Sequence, residues 1–599
     1  IYDPTCGSGS LLLKAANEAP HGLTIFGQEK DNTTRALAVM NMILHGEDFA
    51  DIKPGDTITS PQFIDDDGNL MTFDYAVANP PFSTKSWSNG MDPQNDEYKR
   101  FDGFGIPPAK NGDYAFLLHF IKSLKPGKGK GAIILPHGVL FRGNVEGEIR
   151  KNIVKRGLIK GIIGLPPNLF YGTGIPASII IIDKEGAEER KGIFIIDASK
   201  GFMKDGNKNR LRERDIHKIV DVFRNMEEIP GYSRFVSNEE IEENDYNLNI
   251  PRYIDSQEKE DIQDIRAHLY GGIPNRDIDE LEKYWTAYPS LKDELFSPAG
   301  MEGYSKLNVE IDHIKSTIFN NKEFIEYSNM IKNILNGWSN KHIPLLRTID
   351  KETKPKELIH QISEDLLDRF KDSLLIDKYD VYQYLMDYWL ETMKDDVYMI
   401  IEEGWVANGE LIPKELMIDK FFNEEKNELE KLEMEREEAQ REKEEFEEEN
   451  TGEDGVLEEL KNDKGNIPKT NLNKRIREIK KDEAYEDELE ILEKYLDLIN
   501  KESDLKKQIK EKEKSLEKKV EKKYKELSID EIKDIVVKDK WIRSITDVIT
   551  TEMDRISHRL TTRIKELAER YKETLPEIER KVEELSKKVD MHLKRILEA

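Results

Sequence analysis

Asp3-Pro4-Thr5-Cys6-Gly7-Ser8-Gly9-Ser10 is the stretch that decides how this chain folds. Small residues and two glycines make a turn between Ile1-Tyr2-Asp3, the tail of a strand, and Leu11-Leu12-Leu13-Lys14-Ala15, the start of a helix packed on a sheet. Gly7 and Gly9 permit positive φ and close approach of the backbone, so a ligand can lie against the turn. Leu23 to Glu29 reads as the next strand, and its terminal acid follows Gly9 by 20 residues. A glycine turn with an acid about 20 residues on, at the next strand's end, is the pattern in which a carboxylate accepts from ribose hydroxyls. Position 12 is Leu, so the dinucleotide pattern G-x-G-x-x-G is not met, and no Gly-Lys-Ser/Thr follows to hold phosphates. The ligand so described is a nucleoside without a pyrophosphate. The plainer reading of Glu29 is a solvated acid at a helix entry.

Working outward, Asn32 to His45 is expected to be helical, with Leu37, Met40, Ile43 and Leu44 on one face. Gly55-Asp56-Thr57 is a turn at a third strand end, where Asp56 either accepts from an exocyclic purine amine or closes an ordinary Asx turn. Phe73 to Ala78 is an apolar, β-branched and aromatic run that reads as a buried strand. It stops at Asn79-Pro80-Pro81-Phe82, because proline lacks the N–H that a strand ladder needs. The carboxyl end of a strand in an open α/β sheet is where ligands bind, and this one presents an amide, a rigid carbonyl and an aromatic ring together.

Ser83 to Lys110 is a long polar loop in which Trp87, Tyr98, Phe101 and Phe104 lie among Lys85, Lys99 and Arg100, a mixture suited to contact with stacked bases. Asp113 to Leu124 and Val145 to Arg156 read as helices, and Gly131 to Leu135 and Leu158 to Leu165 as strands. His137 follows the first of these strands, with no acid nearby to make it a base. Ser178 to Asp183 and Gly192 to Asp197 are expected to close the sheet edge as a hairpin. The alternation predicts a Rossmann-like, doubly wound α/β sheet, mostly parallel with an antiparallel edge.

Beyond residue 255 strand signals nearly vanish, which predicts an α/β domain over 1–255, a helical domain over 256–422 and a charged long-helix or coiled-coil region over 423–599. Asn423 to Asn450 is dominated by Glu and reads as one solvated helix, broken at Thr451-Gly452-Glu453-Asp454-Gly455. Leucine and isoleucine recur at 3-4 spacing from Leu489 to Val520 and from Leu560 to Val589, which marks either a helical hairpin or a partner-binding arm.

With 599 residues the chain is too long for one core. Its single cysteine, Cys6, excludes a disulfide framework and suits a reducing, cytoplasmic compartment. No run of 18 apolar residues suggests a membrane span. A formal charge of −28 argues against nucleic-acid binding over the whole surface, though not in a local cleft. Residue 1 is Ile and opens mid-strand, so the expectation is a chain that continues upstream.

Asp3-Pro4-Thr5-Cys6-Gly7-Ser8-Gly9, then Glu29, Gly55-Asp56 and Asn79-Pro80-Pro81-Phe82, in that order, resemble the amino-methylating DNA methyltransferases. Leu165-Pro166-Pro167-Asn168-Leu169-Phe170 and Gly174-Ile175-Pro176-Ala177 narrow the resemblance to the modification subunit of type I restriction–modification systems. The resemblance implies S-adenosylmethionine as donor, held by Asp3, Pro4, Cys6, Gly7, Gly9, Glu29 and Asp56. It implies adenine N6 in DNA as acceptor, worked on by Asn79, Pro80, Pro81 and Phe82 with no metal ion, and with Phe170 or Tyr171 on the far side of the base. The implied partners are DNA, a specificity subunit that reads the target, a second modification subunit and a restriction or motor subunit. Methyltransferases of glutamine side chains or of RNA, and a non-catalytic assembly subunit, are the alternatives.

Overall fold

The computed structural model describes residues 1–599 other than 20, 172, 257–260, 453, 454, 463, 464 and 599. The chain divides into two compact units, residues 1–263 and 264–599.

The first unit is built on a nine-stranded sheet. Its strands are β1 (Tyr2–Asp3), β2 (Phe26–Glu29), β3 (Asp51–Pro54), β4 (Tyr75–Ala78), β5 (Lys130–Pro136), β6 (Ile159–Gly164), β7 (Ala177–Asp183), β8 (Gly192–Asp197) and a last strand at Ser233–Ser237. Across the sheet the order is the last strand, β8, β6, β7, β5, β4, β1, β2, β3. Neighbours from β3 to β5 are parallel, as are β6 and β8. β7 runs against both β5 and β6, and the last strand runs against β8 at the edge. Helices α1 (Ser10–Asn17), α2 (Asn32–Leu44), α3 (Asp113–Lys122), α4 (Asn144–Lys155) and α5 (Glu213–Asn225) connect the strands. Asp31 caps α2, its carboxylate accepting from the Thr34 amide at 2.7 Å. The sheet is covered on both faces: consecutive residues Ile162 and Ile163 of β6 point opposite ways, one into the cluster with Leu117 and Phe120 of α3, the other into the cluster with Ile219 and Val222 of α5.

Three expectations need correction here. Ala177–Asp183 and Gly192–Asp197 do not form a hairpin; β7 inserts between β5 and β6, and β8 pairs with β6. Both runs are apolar on each face, so alternation could not tell an edge pair from two central strands. The apolar face of α2 is turned outward: Leu37, Met40, Ile43 and Leu44 are 53% to 80% exposed, and Ala38 and Met42 meet the sheet instead. Finally, two of the four loop aromatics are not free for bases. Trp87 and Phe101 are 4% exposed and packed edge to face at 5.6 Å, and Arg100 is buried in an ion pair with Asp96 at 2.7 Å.

The second unit is mainly helical, but it contains a small three-stranded sheet of Ile273–Pro274, Phe296–Pro298 and Tyr304–Leu307, which the composition past 255 did not suggest. Asn423–Glu449 is not a lone solvated helix. It lies antiparallel to Glu486–Glu526, with Lys519 on Glu425 at 2.8 Å and Lys501 on Glu442 at 3.0 Å, and with Lys443 on Glu502 and Lys512 on Glu428. The lysines that balance its glutamates come from the partner helix, so a window along one segment could not find them. Of the break expected after it, Glu453 and Asp454 lie outside the described residues. The seam from Leu560 to Tyr571 is buried, whereas Leu575, Ile578, Val582, Leu585 and Val589 are exposed.

Candidate active site

Strands β4, β1, β2 and β3 are adjacent, so their carboxyl ends bring Asn79, Asp3, Glu29 and the Gly55-Asp56 turn to one edge of the sheet. At about 5 Å per strand, Asn79 and Glu29 stand roughly 10 Å apart along that edge.

The glycine turn is fixed from below. The Cys6 amide donates to the Gln28 carbonyl at 3.0 Å, the Gly9 amide to the Cys6 carbonyl at 2.8 Å, and the Thr57 hydroxyl to the Pro4 carbonyl. Gly7 and Gly9 both adopt positive φ, at 55° and 77°. They do so for different reasons. A Cβ on Gly9 would lie 2.5 Å from Met42 Cε, whereas a Cβ on Gly7 would meet nothing within 4 Å. Gly9 is therefore a packing glycine, and Gly7 faces open space where a ligand can approach.

Glu29 reaches back to this turn, accepting the Gly7 amide at 3.0 Å and the Asp31 amide at 2.9 Å. Asp3 is buried beneath it and accepts the Thr5 amide at 2.9 Å. Burial pushes the Asp3 carboxyl up to about 7, against the Thr5 amide, which favours the ionised form; the charge of Glu29 adds to the rise. The Cys6 side chain lies in the core with Leu12 and Ile25, and burial raises its thiol well above the ordinary range, so any ligand contact there is through backbone. Asp56 closes an Asx turn on the Ile58 amide at 2.9 Å and pairs with Lys30 at 2.9 Å. Burial opposes its ionisation, but Lys30 and the Ile58 and Thr59 amides win and hold its carboxyl below the usual value. The Lys30 side chain is 77% exposed, so Asp56 is covered by a movable partner.

At the end of β4, Asn79 is exposed, Pro80 is buried and Phe82 is half-buried. The Asn79 side chain makes no hydrogen bond among the described residues. Beside it is a pocket of about 490 Å³ lined by Asn79, Pro80, Pro81, Phe82, Ser83, Phe170, Tyr171, Thr173 and Ile175. Phe170 stands edge-on to Phe82 at 5.9 Å, and Tyr171 is 94% exposed at the rim. The loop residue Gly172 lies outside the described residues. The two proline-containing loops thus meet across one aromatic-walled pocket.

Sequence reasoning missed what anchors this corner. Ser83 sits at φ 53°, a left-handed conformation that costs a non-glycine residue energy. Its amide donates to the buried Asp113 carboxylate at 2.7 Å, and the other carboxylate oxygen accepts from Arg142 at 2.8 Å. The Thr84 hydroxyl donates to the Pro81 carbonyl at 3.0 Å, and the Gly112 amide to the Thr84 carbonyl at 2.9 Å. Asn111-Gly112-Asp113 signals a helix start, but no spacing rule links it to a loop thirty residues earlier. His137 is half-buried against Phe141, burial lowers its basicity, and it has no carboxylate partner among the described residues. Among those residues no three His, Cys, Asp or Glu side chains gather as metal ligands.

An open α/β sheet with a glycine turn, acidic strand ends and an Asn-Pro-Pro-Phe corner defines the class, and the N-6 DNA Methylase family model matches residues 1–262. The type I restriction enzyme MjaVII methylase subunit of Methanocaldococcus jannaschii is 38% identical over 287 residues, 45% of this chain and 48% of the relative. The type I restriction enzyme HindI methylase subunit of Haemophilus influenzae is 33% identical over 325 residues, 52% of this chain and 68% of the relative. Among solved structures, the type I restriction-modification system methyltransferase subunit from Streptococcus thermophilus is 43% identical, with 42% of this chain and 53% of that chain covered at a TM-score of 0.39. The chain belongs to the family of type I restriction enzyme methylase subunits. It spans about half the length of the first curated relatives it matches.

Proposed function

We propose that this chain transfers the methyl group of S-adenosylmethionine to adenine N6 in double-stranded DNA, as the modification subunit of a type I restriction–modification assembly. The observation that carries this reading is the unbonded Asn79 amide on an aromatic-walled pocket, at the same sheet edge as Gly7 and Glu29.

The residues at the turn fit a nucleoside donor. Gly7 leaves its upper face open, Glu29 keeps lone pairs beyond its two amide bonds to accept from ribose hydroxyls, and Asp56 can exchange Lys30 for an exocyclic amine. Asp3 lies beneath, where an ionised carboxylate would hold the donor's ammonium. Bound there, S-adenosylmethionine supplies an electrophilic sulfonium methyl. The rest is done by the corner. An exocyclic amine is a poor nucleophile because its lone pair is delocalised into the ring. Asn79 Oδ1 and the Pro80 carbonyl each accept one of its N–H groups, which favours a tetrahedral nitrogen and stabilises the positive charge that develops on it. Pro80 and Pro81 fix those acceptors before the base arrives, and holding the reactants in line supplies much of the rate. Extruding the base from the duplex costs a few kcal/mol. Phe82 stacks on the extruded ring, and Phe170 sets the tilt of Phe82.

Target sequence is read by a specificity subunit; a second modification subunit and a restriction or motor subunit complete the assembly, in the cytoplasm. The chain's charge of −28 fits a protein that leaves much of the phosphate contact to its partners. Among the described residues no helix is long and apolar enough to cross a membrane.

Phe82→Ala is expected to weaken capture of the target base by roughly 1–3 kcal/mol. With 2-aminopurine at the target position, the fluorescence rise seen with the unmodified chain should fall. An unchanged rise removes Phe82 from the stack.

Donor binding should also depend on pH. Asp3 is about half protonated near pH 7 in the free chain, and the donor's ammonium requires it ionised. Affinity should therefore rise roughly tenfold per pH unit below that value and level off above it. Calorimetric titration across this range checks the slope, and Asp3→Asn should flatten it. A flat profile in the unmodified chain contradicts the contact.

A further inference from the structure

The opposite edge of the same sheet holds a larger cleft, of about 990 Å³. Helices α3 and α4 end there, Leu158 precedes β6 and Lys184 follows β7, so it opens at the amino ends of the parallel strands. The seven residues of β5 separate it from the Asn79 edge by roughly 20 Å, too far to share either ligand. Its floor is apolar, and its walls carry Lys99, Arg100, Lys122, Lys155, Arg156 and Lys184. Arg100 is held in its pair with Asp96; Asp102, Glu188 and Glu189 also line the cleft, yet none of the other five cations is in an ion pair among the described residues. This is not general to the edge: Lys125 pairs with Asp74 at 2.6 Å, Lys130 with Glu185 at 2.5 Å and Lys160 with Asp183 at 3.1 Å.

Three of those five cations already have partners, Lys155 lying 5.5 Å over the Tyr246 ring. Arg156 donates to the Gly103 carbonyl at 2.9 Å, with its guanidinium 3.9 Å over the Phe104 ring. Lys184 is half-buried and donates to the Leu124 carbonyl at 2.6 Å. Burial, with Lys122 adding like-charge repulsion, lowers the Lys184 ammonium to about 8. Lysines in the last turn of a helix favour its negative end, which accounts for Lys122 and Lys155. It accounts for neither the ordered Arg156 nor an unpaired, half-buried Lys184, and an unpaired buried cation is costly unless an anion joins it.

We propose that this cleft binds a phosphate-bearing ligand, with its phosphates among Lys122, Lys155, Arg156 and Lys184 and its apolar part on the floor. Phosphate is the group for which a planar guanidinium beside several ammonium donors is suited. The phosphates belong either to a free nucleotide or to a duplex backbone.

The test uses the full chain and three probes: inorganic tripolyphosphate, ATP and a fluorescent duplex. Lys122→Ala/Lys155→Ala changes only exposed side chains, and Lys184→Gln is a separate variant that keeps a donor for Leu124. Each should weaken binding by roughly tenfold, with S-adenosylmethionine affinity and melting temperature unchanged. Weakened tripolyphosphate and ATP binding with duplex affinity intact supports the cleft and identifies a free nucleotide. Weakened duplex binding, with tripolyphosphate competing for the duplex, supports it and identifies the nucleic-acid backbone. If no probe binds the unmodified chain, or all bind the variants equally well, the proposal fails.

Discussion

Asn79→Ala should lower kcat for methyl transfer by about 10²–10³, with donor affinity unchanged. The Asn79 side chain makes no hydrogen bond among the described residues, so its loss orphans no other group and should not unfold the corner. In the proposed mechanism it removes one of two acceptors aimed at the target amine. Such a dipole is preorganised, and its worth is realised only as charge develops in the transition state; the loss therefore falls on kcat rather than on ground-state binding. The donor contacts proposed above are all on β1, β2 and the turns that follow them and β3, so they should survive the change. Labelled-donor incorporation and calorimetric donor titration on the same preparation check both halves. Loss of donor binding with the corner intact would mean that Asn79 serves the cofactor and the two sites have been exchanged.

Asp113→Ala should have an effect of comparable size through a different route. This carboxylate is 1% exposed and takes the Ser83 amide on one oxygen and Arg142 on the other. Truncation leaves an amide unsatisfied and takes from the partly buried Arg142 guanidinium its nearer carboxylate, leaving it Glu146 at 3.4 Å, a cost of about 2–4 kcal/mol. Ser83 is then released from its left-handed conformation, and the corner between Asn79 and Ser83 loses its lower anchor. The expected result is an earlier denaturation transition together with a fall in kcat. Asp113→Asn should do less harm, because it keeps an acceptor for the Ser83 amide and loses only the charge. Arg142→Ala combined with Asp113→Ala should cost less than the two single changes summed, since the second change removes a group that has already lost its nearer partner. Strict additivity would show that the two side chains do not act as one latch.

What could be read in advance follows the range over which each physical signal acts. The turn at Gly7, the acid at Glu29 and the corner at Asn79 were legible because each is set by residues within a few positions, by glycine φ, proline's missing N–H or a strand's terminal residue. The partners that hold them were not. Asp113 meets Ser83, and the lysines of Glu486–Glu526 meet the glutamates of Asn423–Glu449, across distances in sequence that no local period encodes. Periodicity placed α2 correctly as a helix but could not choose its inner face, because Ala38 and Met42 pack with Ile25 and Ile52, which a window along the helix does not contain. The loop after Phe82 was misjudged for a related reason. Its basic and aromatic composition suits bases, but the buried Arg100–Asp96 pair and the Trp87–Phe101 contact fold those side chains into the core that α3 shares with the sheet.

The measurement that bears most directly on the corner is nucleoside analysis of duplex DNA after incubation with methyl-labelled S-adenosylmethionine and the chain assembled with a specificity subunit. N6-methyladenine should carry the label with the unmodified chain, and the rate at which it forms should fall by about 10²–10³ with Asn79→Ala. Label on cytosine, or label on adenine that forms at an undiminished rate in Asn79→Ala, would contradict the role given to Asn79-Pro80-Pro81-Phe82.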